Sequence, residues 1–74
     1  MYAYKSPVGL MKIYIDRNVG RYALDINGII VGHYLSAADA ADDVYTQVTG
    51  YYDWDDLDGD VDPPSDLSEW LIVN

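Results

Sequence analysis

RYALDINGIIVGHYL, residues 21–35, is the most legible stretch of this chain. Asn27-Gly28 supplies the two positive-φ residues of a type I′ turn, the two-residue connection whose twist matches that of antiparallel strands. A hairpin closed there places Ile26 opposite Ile29, Leu24 opposite Val31 and Tyr22 opposite His33. Strand side chains alternate, so one face reads Tyr22, Leu24, Ile26, Ile29, Val31 and His33. The other face, with Arg21, Ala23, Asp25, Ile30, Gly32 and Tyr34, is more mixed.

Upstream, SPVG (residues 6–9) reads as a type I turn, with proline presetting φ at its second position and glycine closing it. Tyr2 and Tyr4 alternate with Ala3 and Lys5 before it. Met11, Ile13 and Ile15 alternate with Lys12, Tyr14 and Asp16 after it. The first half, residues 2–35, is therefore expected to be a three- or four-stranded antiparallel meander with one face needing a cover.

Residues 37–49 are expected to supply that cover. Ser36 is an N-cap, and Asp39 three residues later completes a capping-box-like start. Ala37, Ala40, Ala41, Val44 and Val48 recur at helical spacing, with Asp39, Asp42 and Asp43 on the remaining surface and Gly50 as the terminator. In PSDLSEW (residues 64–70), Asp66 and Glu69 form a second capping box opening a short helix or turn. The fold class is thus α+β: one 74-residue domain, with a meander, a helix packed on a face, and an acidic, aromatic segment over residues 51–74. A chain this short has a shallow core, and the absence of cysteine removes disulfides, thiolate metal sites and a cysteine nucleophile together. No signal-peptide pattern and no apolar run long enough to span a membrane is present, which points to a cytoplasmic protein.

Charge is sharply segregated. Lys5, Lys12, Arg17 and Arg21 are the only bases and face Asp16 alone in the first 21 residues, a local charge of +3. The remaining twelve of the thirteen acids follow without a single base, giving −12 there and −9 overall. Phosphate backbones and anionic membranes repel such a molecule, so direct nucleic-acid or membrane binding is not expected and a basic partner surface is favoured.

The densest acids are in YYDWDDLDGDVDPP, residues 51–64. Registered on Gly59 as an EF-hand loop, Asp56 and Asp58 fall at positions three and five, but Trp54 and Ser65 stand where the first and twelfth ligands belong. No metal and no cofactor is implied. If the segment were extended, Asp56, Asp58, Asp60 and Asp62 would project on one side about every 6.6 Å, with Leu57 and Val61 turned inward. Such a row serves either as a charged edge that prevents sheet-to-sheet pairing or as a phosphate-like surface. His33 lacks a second histidine or a nucleophile beside it, and the glycines form no phosphate-binding fingerprint, so an enzyme is not expected.

Two functional readings follow. In one, Asp39, Asp42, Asp43, Asp53, Asp55, Asp56, Asp58, Asp60 and Asp62, with Tyr51 and Tyr52 as aromatic anchors, form a partner-binding surface. Its sharpest form is a nucleic-acid-mimicking, anti-CRISPR-like inhibitor of a nucleic-acid-binding protein. In the other, the chain is a small accessory domain, as a homodimer, whose acids serve solubility only.

The hairpin G-x-Y-x-L, the helix A-A-D-D-V-Y, and the following T-G, W-D-x-L and D-L-S-E-W resemble a family of small bacterial and phage proteins without an established activity. The likeness covers about 50 of the 74 residues and implies no functional residue.

Overall fold

The computed structural model describes residues 1–73. Five antiparallel strands form one open sheet with a helix packed on it. The strands are β1 (Tyr2–Ser6), β2 (Gly9–Asp16), β3 (Arg21–Ile26), β4 (Ile29–Tyr34) and β5 (Leu71–Ile72). Helix α1 spans Ala37–Thr46, a single turn α2 spans Tyr52–Asp55, and a 3₁₀ turn covers Leu67–Glu69. The sheet order is β4-β3-β2-β1-β5, so the first four strands are the expected meander. The fifth is an addition: the chain end returns to pair Ile72 with Tyr2 and Leu71 with Ala3. Two residues carry too little pattern to announce a strand, and only the neighbouring β1 edge makes them one.

Asn27 and Gly28 have φ of 56° and 86°, and Ile26 pairs with Ile29, as the type I′ turn requires. Asp25 reinforces the turn by accepting the Gly28 N–H at 2.9 Å, and it also accepts from the Tyr14 hydroxyl at 3.3 Å. Beyond the turn the expected register fails. A β-bulge opposite Leu24 and Asp25 makes Val31 an extra residue, so Leu24 pairs with Gly32, Ala23 with His33 and Tyr22 with Tyr34. One extra residue exchanges the faces of everything after it. Tyr34 therefore packs against the core, and His33 lies on the outer face. There its Nε2 meets Asp16 Oδ2 at 3.0 Å, and both the hydrogen bond and the imidazole's charge hold the Asp16 carboxyl below its usual range.

Met11, Ile13, Leu24 and Ile26 of the sheet meet Ala40, Ala41 and Val44 of α1, with Trp54 and Trp70 completing the core. Alanine at the contact lets α1 lie close to the strands. Ser36 caps α1 as expected, its Oγ accepting the Asp39 N–H at 3.1 Å. The helix stops three residues before the expected end. Gln47 adopts a left-handed conformation (φ 57°), its N–H and that of Val48 closing onto Val44 and Asp43 carbonyls in a Schellman-type cap. Gln47 is buried in consequence. Val48, which helical periodicity assigned to the packed stripe, is turned out and 61% exposed.

The acidic stretch is not extended. Its first part is α2, and the chain then turns through Leu57–Asp60 with backbone bonds such as Asp60 N–H to Leu57 O at 2.8 Å. The strand-like row of Asp56, Asp58, Asp60 and Asp62 therefore does not form, although Leu57 and Val61 do pack on the core. Burying Trp54 requires a helical turn here, and that overrides the alternation. At the 3₁₀ turn Asp66 caps Ser68, while Glu69 reaches back to Ser65 rather than to the Asp66 amide. Those bonds from Ser68 and Ser65 keep both carboxyls below their usual range.

A Cβ added at Gly28 would meet nothing within 4 Å. Gly28→Val therefore strains the backbone without a clash and is expected to cost more than about 1 kcal/mol, read as a lowered denaturation midpoint with an unchanged slope.

Candidate partner-binding surface

Trp54 organises this side of the molecule. Its side chain is fully buried, its Nε1 donates to the Val44 carbonyl at 3.1 Å, and its own carbonyl accepts from Gln47 Nε2 at 3.0 Å. Both bonds tie α2 to the last turn of α1. The residues flanking Trp54 on α2 then face away from the core: Tyr52 is 75% exposed, and Asp53 is exposed beside it. At the adjoining end of α1, Tyr45 and Val48 are exposed as well. Tyr51 is half-buried and packs on the core, so of the two expected aromatic anchors Tyr52 is the open one.

The acids separate into two groups. Asp55 is a structural clamp: its Oδ1 accepts from the Thr49 N–H at 3.0 Å and the Thr49 hydroxyl at 2.8 Å, and its Oδ2 accepts from the Gly50 N–H at 2.8 Å. Asp43 accepts the Tyr34 hydroxyl at 2.8 Å, linking α1 to the edge of the sheet. Asp16, Asp25, Asp66 and Glu69 likewise hold local bonds. The other seven, Asp39, Asp42, Asp53, Asp56, Asp58, Asp60 and Asp62, are exposed, and no described side chain bonds or pairs with their carboxylates. The only ion pair among the described residues is His33–Asp16.

Of the eleven residues expected at a partner surface, seven carboxylates and Tyr52 are thus openly presented, while Asp43, Asp55 and Tyr51 are wholly or partly engaged by the fold. Tyr45 and Val48 were not expected there. Val48 carried an opposite signal, helical spacing, and nothing in the sequence announces a left-handed glutamine.

An open groove of about 400 Å³ separates α1 from the 3₁₀ turn, lined by Ala38, Ala41 and Asp42 on one side and by Asp66, Leu67 and Ser68 on the other. Among the described residues no three His, Asp or Glu side chains are grouped to hold a metal ion. No helix of the described residues is long and apolar enough to cross a membrane. A scan of family models, a search of curated proteins and a search of solved structures each found no match to this chain.

Two outcomes test the division of the acids. Asp55→Asn replaces the oxygen facing the Gly50 amide with an NH₂ group and is expected to cost about 1–3 kcal/mol, whereas Asp56→Asn should be neutral or stabilising in the same urea titration.

The second concerns alkaline pH. Burial, followed by the hydrogen bond to Asp43 and that carboxylate's charge, raises the ionisation of Tyr34 above the ordinary tyrosine value of 10.0. The folded state then keeps a proton that the unfolded chain releases, so the contribution is full below pH 10 and declines as pH rises from there towards the folded value. Between about pH 8 and 11, unfolding free energy should therefore fall more for the wild type than for Tyr34→Phe.

Proposed function

We propose that this chain is a non-enzymatic binding module for a basic protein surface of the kind that ordinarily engages a nucleic acid. One observation carries the reading: seven exposed, unpaired carboxylates stand on α1, α2 and the following loop, around the exposed Tyr45, Val48 and Tyr52. That composition, aromatic and apolar area within a charged rim, is the anatomy of a protein interface. Unpaired like charges destabilise a small domain by self-repulsion, and solubility needs a net charge of only about 2–8 in magnitude. A net charge of −9 carried without compensation is therefore accounted for by what it attracts. Carboxylates at irregular spacing on a convex surface offer lysine and arginine side chains partners comparable to phosphates, and Tyr52 adds a ring for stacking on a guanidinium.

The test is the combined replacement of Asp56, Asp58, Asp60 and Asp62 by asparagine. Relief of repulsion should leave the melting temperature equal or higher. The wild type should capture basic nucleic-acid-binding proteins from a lysate and release them on addition of salt or duplex DNA, and the variant should lose that capture. A folded variant that captures the same protein at the same salt would reduce the acids to solvation.

A further inference from the structure

The longest stretch without Asp, Glu, Lys or Arg runs from Ile26 to Ala38, and it contains β4, one edge of the sheet. Sheet edges present unpaired N–H and C=O groups, and folded proteins guard them with lysine, proline, charge or bulges. At the opposite edge β5 covers Tyr2 and Ala3, and the exposed Lys5 lies on the uncovered end of β1. β4 has only its bulge at Val31, close to the turn, and beyond it Gly32–Tyr34 pairs regularly with β3. Its flanks are apolar and open: Ile30 is 44% and Leu35 76% exposed, with Ile29 half-exposed between Gly28 and Ile30.

We infer that β4 is a self-association edge, where a second copy of this chain pairs antiparallel about a two-fold axis to extend the sheet. Charge selects the occupant. Two molecules of −9 repel wherever their acids meet, and a contact through β4 brings together the longest uncharged stretch of both copies. An antiparallel strand pair is self-complementary, so one apolar edge meets its own copy with closed symmetry. Its hydrogen bonds come from main-chain groups that have no neighbour on the outer side of β4. A six-residue strand buries less than the roughly 1,200 Å² of a standard interface, so the dimer should be weak, in the micromolar to millimolar range.

The opposite signs of the two salt dependences separate this inference from the proposed function. Binding to a basic partner weakens with salt, whereas association of two acidic copies through an uncharged edge strengthens as salt screens their repulsion. Sedimentation velocity on the purified chain, from about 10 µM to 1 mM and at low and high NaCl, should show a monomer–dimer equilibrium that tightens several-fold with salt. Ile30→Lys and Leu35→Glu each put a charge at the edge outside the core, and each should leave the circular-dichroism spectrum unchanged and the chain monomeric throughout. A wild type monomeric at 1 mM in high salt would overturn the inference. So would a dimer that persists in both folded variants, or one that weakens with salt; the latter would indicate head-to-tail contact between the acids and the basic strands.

Discussion

The burial of Trp54 is the constraint on which the remaining structure depends. A 74-residue chain without disulfides or a described metal cluster has little core to spare, and a fully buried tryptophan removes on the order of 200 Å² from water. To reach the core from a segment so dense in aspartate, the chain must form a helical turn at Tyr52–Asp55 and bring it against the end of α1. The indole N–H and the backbone carbonyl are then satisfied by Val44 and Gln47, so the largest apolar contribution leaves neither of these polar groups unpaired. The left-handed Gln47, the early end of α1, the outward Val48 and the Asp55 clamp on Thr49 and Gly50 are parts of one arrangement that delivers Trp54 inward.

That arrangement also decides what the acids do. Carboxylates near the turns become hydrogen-bond acceptors for backbone amides and hydroxyls, which is how Asp25, Asp55, Asp66 and Glu69 contribute to the fold. The rest follow α1, α2 and the loop outward, without cations to meet them. The four bases remain on the β1–β3 part of the chain, away from the acid-bearing segments in sequence. The consequence is a molecule with two different surfaces: a carboxylate-rich side with exposed tyrosines, and an uncharged sheet edge. Electrostatics favours unlike partners at the first and tolerates a like partner at the second, so the proposed binding and self-association can coexist on one chain.

Local chemistry was legible from the residues alone. Asn27-Gly28 announced its turn because only such a pair accepts two consecutive positive φ values cheaply, and Ser36 and Asp66 announced helical starts because their side chains reach amides two or three residues on. Met11, Ile13, Leu24 and Ile26 were readable as core because strand alternation is a property of the backbone itself. These signals determined an α+β domain, a meander and a covering helix. Tertiary packing alone decided the bulge at Val31, which moves His33 from the core face to Asp16 and leaves Tyr34 to meet Asp43. It also decided β5, whose two residues become a strand only because β1 offers an edge, and the coiling of residues 52–60, where alternating aspartates suggested extension. The physical reason is common to all three: main-chain pairing and the burial of Trp54 involve partners distant in the chain, and their free energy exceeds the few tenths of a kcal/mol by which local pattern favours one backbone conformation over another.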